Sequence, residues 1–255
     1  MTSGIRTPNP WARVDVPTAP HRNASQVTVA WASDMRLGFQ AIPCNHMPDT
    51  VDALLPLSIL EAVRNVDTPE GDYDAEYVQE LRNKRLGLSD TVYTQIKRYT
   101  EAARRGQRPS FDEAVALAKL IGRRPDAETV LRAAGRYIAR ESYLTIGPAM
   151  RRMIHILPSL IARPLAFRRA RRIADRYLDG QVTRVGSHLL LVVPRSVTIG
   201  TAPGETGCVY NEAAFKELLR LLVANAGTVE HVRCVVRGEQ VCEWRAEWRS
   251  GPRSR

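Results

Sequence analysis

The hydrophobic and polar positions divide the chain into a long helical stretch followed by a shorter region of strands. Leu54, Leu55, Ile59, Leu60 and Val63 recur at helical spacing after Pro48-Asp49-Thr50, and Pro56 is expected to confine the regular helix to its later turns. The same period predicts helices over 74–85 and 90–105, the second opened by Ser89-Asp90-Thr91. Ser110-Phe111-Asp112-Glu113 has capping-box spacing, in which the serine and glutamate side chains satisfy each other's backbone N–H groups, and it opens a helix toward Ile121. Asp126 caps a further helix to about Tyr143. Ahead of all of these, Gln26–Trp31 reads as a short strand.

Residues 143–178 carry a mixed pattern. The apolar run Tyr143–Leu157 is broken by Pro158 and Pro164 before Phe167, Ile173, Tyr177 and Leu178 return as the inner side of a helix. Arg168, Arg169, Arg171 and Arg172 then face outward and are candidate contacts to an anion, whether phosphate, lipid headgroup or acidic partner. A solvated basic face is the plainer reading. His155, on an apolar stretch, reads as a packed histidine rather than a ligand.

Strands dominate the remainder. Val182–Ile199 contains Leu189–Val193, an uninterrupted apolar run that suits a central strand buried on both faces, with Pro194 marking an edge or bend. Phe215, Leu218, Leu219, Leu222 and Val223 predict a helix over Asn211–Ala226. Val229–Val236 and Val241–Trp248 form a hairpin around Arg237-Gly238-Glu239. The fold class is therefore α+β: a helical layer packed on a small antiparallel sheet that ends in a hairpin. One domain is expected over 24–248, with a helical part at about 49–178 and a strand-helix-hairpin part at about 181–248. Residues 1–23, with prolines at 8, 10, 17 and 20, are expected to be a mobile tail, and 249–255 a second tail.

The hairpin carries the most specific chemistry. Cys208, Cys234 and Cys242 fall near the C-terminus, and His231 stands three positions before the second cysteine. Three thiolates and an imidazole suffice for a closed tetrahedral zinc site, which is structural rather than catalytic. A three-residue loop at Gly238 sets Cys234 opposite Cys242. Residues three apart on a regular strand point to opposite faces, so His231 needs a bulge or a strand start to join Cys234. Glu230 shares the face of Cys234 but lies about 13 Å away along an extended strand, which makes it the poorer fourth ligand. Two metal-free alternatives stand beside zinc: buried free thiols with a surface histidine, and a hairpin disulfide.

Cys208-Val-Tyr-Asn-Glu-Ala-Ala-Phe215, the helix Lys216–Val223, and Cys234, Gly238, Cys242, Glu243 and Trp244 together resemble the 4-vinyl reductase domain family. That family is named for a protein of bacteriochlorophyll synthesis and occurs in sensor modules of bacterial aromatic-responsive activators. In those sensors an acidic residue stands where this chain has His231, and the resemblance implies a zinc held by Cys208, His231, Cys234 and Cys242. The substitution leaves a net charge of minus one around zinc in place of minus two. The resemblance further implies recognition of a small hydrophobic or aromatic molecule, with occupancy altering contact with a protein partner. Tyr210, Phe215, Trp244 and Trp248 are the candidate pocket residues, although filling the core is the commoner use of residues placed like Trp244 and Trp248. An accessory or reductase role in bacteriochlorophyll or tetrapyrrole formation is the enzymatic alternative that the family name implies.

Composition narrows the remaining choices. The net charge of +10 admits nucleic acid or an anionic membrane as a partner of the basic segment, but charge alone does not specify function. No run of eighteen apolar residues suggests a membrane span, and the N-terminal stretch lacks the apolar core of a secretion signal. Zinc-bound or free thiols then fit the reducing cytoplasm. The chain has no Walker loop, Gly-x-Ser-x-Gly, His-Glu-x-x-His or dinucleotide fingerprint, and Cys44 with His46 does not by itself make a nucleophile and base. The expectation leans away from an enzyme. A homodimer is compatible with it.

Overall fold

The computed structural model describes residues 49–68, 86–223 and 227–247. The expected strand Gln26–Trp31, the expected helix 74–85, both expected tails, and Cys44, His46 and Trp248 lie outside the described residues. Among those described, seven helices pack on a four-stranded antiparallel sheet near the C-terminus.

Each helix starts where local chemistry permits. Helix α1 (Leu54–Asp67) tolerates Pro56 because the proline falls in the first turn, where backbone N–H groups have no intrahelical acceptor to lose. It therefore runs regular from Leu54 rather than only in its later turns. After a short 3₁₀ turn at Leu86–Leu88, helix α2 (Asp90–Arg104) is capped by the Ser89 hydroxyl, which accepts from the Val92 N–H at 3.3 Å.

Helix α3 (Phe111–Gly122) begins at the expected serine but does not form the capping box. Ser110 pairs instead with Thr50 as an isolated bridge, and the Phe111 N–H donates to the Asp49 carbonyl at 2.7 Å. Glu113, the reciprocal partner in a capping box, takes the Tyr99 hydroxyl at 2.7 Å and Arg98 at 2.8 Å. In α4 (Ala127–Leu144) the Asp126 carboxylate likewise binds the Arg124 guanidinium rather than capping the helix. Arg124 reaches Asp67 on α1 as well, at 2.7 Å and 3.0 Å, so one guanidinium ties the two helix ends.

The ambiguous stretch resolves into the end of α4, helix α5 (Pro148–Ile156) and helix α6 (Ser159–Tyr177). Pro164 lies inside α6 and does not break it. The carbonyl that it leaves without a helical donor belongs to Leu160, a residue open to water, so the lost bond costs little. Ile173, Tyr177 and Leu178 are buried as the pattern requires, and Phe167 is partly buried against the same core. His155 is exposed rather than packed, with Nε2 3.0 Å from the Tyr143 hydroxyl.

Strands β1 (Gln181–Val185) and β2 (His188–Val193) form a tight hairpin where the apolar pattern suggested one strand. Gly186, at φ 58°, and Ser187 make the two-residue turn. Leu189, Leu191 and Val193 are buried and Leu190 and Val192 are not fully so, which makes the sheet one-sided rather than buried on both faces. Helix α7 (Val209–Val223) then leads to β3 (Val229–Arg233) and β4 (Cys242–Glu247), giving the sheet order β1-β2-β4-β3.

Helices α4 and α7 form the most extensive helix pair. Their approach depends on Gly135, because a Cβ at that position would overlap the Tyr210 carbonyl oxygen and crowd the Ala214 N–H. Tyr210, Phe215 and Trp244 fill the centre of the core that the helices share with the sheet. The architecture places the start of α7 beside the β3–β4 connection, and the cysteines converge there.

Candidate metal centre

Three separate chain segments deliver the donor atoms. Cys208 ends a 3₁₀ turn, Thr206–Cys208, that feeds directly into α7. This turn is pressed against the preceding loop: a side chain on Gly207 would collide with the Thr198 carbonyl. Cys234 follows β3, and Cys242 is the first residue of β4.

The β3–β4 connection is longer than the expected three-residue loop. β3 stops at Arg233, a 3₁₀ turn occupies Val235–Arg237, and Gly238 at φ 91° reverses the chain in the left-handed region. Arg237 and Glu239 N–H groups donate to the Cys234 carbonyl at 3.0 Å and 3.2 Å, while the Cys234 N–H donates to Glu239 Oε2 at 2.6 Å. The Val235 N–H points to the Cys242 sulfur at 3.4 Å. The loop is thus wound around the sulfur atoms.

His231 reaches the same point through a β-bulge. Its partner on β4 is Trp244, whereas the next registered pair is Arg233 with Glu243, so Val232 is the extra residue. The bulge removes the alternation that would otherwise set His231 and Cys234 on opposite faces. The imidazole stacks on the Trp244 indole with ring centroids 4.7 Å apart and planes 8° from parallel. Its Nδ1 lies 3.0 Å from Glu205 Oε2, and Glu205 Oε1 is 3.1 Å from Arg237 Nε. Nε2 is buried and without a hydrogen-bond partner.

One donor atom from each of Cys208, His231, Cys234 and Cys242 lies within 4.8 Å of the others. Cys208 Sγ is 3.7 Å from Cys234 Sγ and 3.9 Å from Cys242 Sγ. Thiolates about 2.3 Å from a tetrahedral ion stand about 3.8 Å apart, so these edges match a filled coordination shell. They are far too long for a disulfide, whose sulfurs lie about 2.05 Å apart, and all three cysteines are free. A cluster of buried thiols alone leaves the His231 Nε2 unexplained; a metal ion among the sulfurs gives that orphaned atom its partner. The residues present fit a metal ion, with the carboxylate of Glu205 fixing the imidazole tautomer so that Nε2 carries the lone pair.

The sulfur electrostatics are shared among the three thiols. The Cys242 thiol is pulled well below its ordinary range by the hydrogen bond from Cys208, helped by the Val235 N–H. Donating that bond, together with burial, pushes the Cys208 thiol up. The three thiols lie close enough to share protons, and binding of a metal ion would release the protons that they hold.

The remaining candidate residues fall elsewhere. Glu230 is exposed and bound to Arg245 at 2.7 Å, outside the cluster. Tyr210, Phe215 and Trp244 are wholly buried, packed with the core, and the Tyr210 hydroxyl lies 3.3 Å from Ser58 Oγ. Arg168, Arg171 and Arg172 are exposed on α6, and Arg169 is half-buried. Glu205 escaped sequence reasoning: it lies 26 residues from His231, and no spacing rule connects a loop carboxylate to a bulged strand. Comparisons with protein-family models, with curated proteins and with solved structures find no match for the chain. No helix among the described residues is long and apolar enough to cross a membrane.

Proposed function

We propose that the chain is a zinc-stapled binding module, in which one Zn²⁺ held by Cys208, Cys234, Cys242 and His231 Nε2 locks the C-terminal hairpin to the start of α7. The observation that carries this reading is the buried, unpartnered Nε2 facing three free thiols at tetrahedral spacing. A soft S₃N donor set of four favours zinc among the common divalent ions and leaves no position for substrate. The role of the ion is structural: it supplies folding free energy and fixes the strand that carries Trp244.

On this reading the module acts by binding rather than by catalysis, in the manner of the sensor domains it resembles. A small hydrophobic or aromatic molecule is the proposed ligand, with occupancy changing contact with a protein partner. The α+β arrangement with a cysteine-bearing hairpin supports that reading. Tyr210, Phe215 and Trp244 are wholly buried in the shared core, so a ligand reaches them only by displacing core packing. Thermal-shift screening of the zinc-loaded chain with aromatic compounds and tetrapyrroles tests the proposal. A saturable rise in Tm supports it, and no shift with any compound contradicts the ligand role while leaving the metal role to its own measurement.

A further inference from the structure

We infer that the elbow between α5 and α6 is a docking surface for an anionic lipid bilayer. This inference stands apart from the metal centre. At the elbow, apolar side chains that a folded domain ordinarily buries are turned outward: Ile156 is 75% exposed, Leu160 87%, Ile161 54% and Met153 45%. Pro158 makes the corner, and its carbonyl accepts from the Ile161 and Ala162 N–H groups in the first turn of α6 at 3.0 Å and 2.9 Å, so the apolar tip is carried on helical backbone.

The exposed stripe of α6 continues from this tip. Leu160, Ile161 and Pro164 occupy its first two turns, and Arg168, Arg171 and Arg172 follow at helical spacing on the same outer side. Leu160 and Arg168 are about 12 Å apart along the axis at 1.5 Å per residue. That separation matches an apolar tip inserted about 5–10 Å into the headgroup and acyl boundary, with the arginines reaching the phosphate level. Seven arginines and no acidic residue lie between Thr145 and Ala174, which gives the whole elbow one sign of charge.

The charge and the apolar tip together select the occupant. A second copy of the same face would bring arginines against arginines across a two-fold axis, so self-association is opposed. Nucleic acid would satisfy the arginines but offers nothing to four exposed aliphatic side chains. An anionic bilayer satisfies both.

The test uses the full zinc-loaded chain and co-sedimentation with vesicles of pure phosphatidylcholine and of phosphatidylcholine mixed with phosphatidylglycerol. The mixed vesicles should retain the protein and the neutral ones should not, with binding falling as salt rises. Replacing Arg168, Arg171 and Arg172 together by alanine should weaken binding about a hundredfold, at roughly fivefold per arginine. Replacing Leu160 and Ile161 together by serine should weaken it at least tenfold at constant charge. All five positions are exposed, and a thermal melt checks that each variant is folded. Vesicle binding indifferent to Leu160 and Ile161 overturns the inference. So does duplex DNA binding without vesicle binding, or a dimer in sedimentation velocity that dissociates in the Leu160→Ser and Ile161→Ser variant.

Discussion

Glu205 is the residue whose removal separates a metal-positioning role from a merely structural one. Its carboxylate holds His231 Nδ1 at 3.0 Å and Arg237 Nε at 3.1 Å, yet its side chain is 45% exposed. A screened, half-exposed ion pair of this kind contributes about 0–1 kcal/mol, so Glu205→Ala should change the metal-free protein's stability little. Its effect on zinc should be larger. Without the carboxylate, the imidazole loses both its fixed tautomer and the partner that raises its basicity as a ligand, and loss of such a partner weakens metal affinity about 10–100-fold, or about 1.4–2.7 kcal/mol. Glu205→Gln, which keeps an acceptor for Nδ1–H but not the charge, should fall between wild type and alanine. Competition against a chromophoric zinc chelator measures the affinities, and thermal melts with and without metal measure the stability. Unchanged zinc affinity in Glu205→Ala, or an equal loss of Tm with and without metal, would refute the reasoning.

Three further predictions concern the scaffold. Gly135→Ala forces a methyl group against the Tyr210 carbonyl and should destabilise the chain by about 1–3 kcal/mol in urea unfolding, without abolishing zinc binding. Asp179 sits at φ 47°, and burial raises its carboxyl pKa to about 6, so its stabilising contribution is present below the unfolded pKa near 3.8 and is lost as pH rises through about 6. Asp179→Asn, which tolerates the same backbone and carries no charge, should stabilise the protein more at pH 7 than at pH 5 in paired melts. Glu217 has the opposite sign: Arg220 and then Arg140 hold its carboxyl down to about 2, against an ordinary 4.5, so its contribution is present above that ordinary value and lost as pH falls toward about 2. Glu217→Gln should flatten the acid limb of the stability profile in that window, and an unchanged limb would contradict the assigned pairing.

The parts legible in the sequence were those governed by local chemistry. Ser89 announced α2 because a serine ahead of a helical run accepts an orphan N–H, and the α7 pattern gave both the helix and the buried faces of Phe215, Leu218 and Leu222. The three cysteines and His231 could be grouped from spacing, and the alternation of strand side chains showed that His231 required either a bulge or a strand start, of which β3 has the bulge. What escaped was decided by tertiary competition. Ser110 and Glu113 satisfy capping-box spacing, but the backbone of Asp49 and the side chains of Tyr99 and Arg98 claim those groups first. The run Leu189–Val193 looked two-sided because apolar residues also cover the less buried face of a one-sided sheet, and Gly186-Ser187 was too short a signal to divide the run from Val182. Glu205 could not be seen at all, since only the folded loop brings it to His231.

Zinc stoichiometry tests the central claim most directly. Elemental analysis of the purified chain should give about one zinc per molecule, and Cys234→Ser or Cys242→Ser should each abolish it together with a fall in Tm, because a structural four-ligand site does not survive loss of a thiolate at full strength. Wild-type protein that is folded and binds no zinc, or variants that retain a full equivalent of it, would contradict the account.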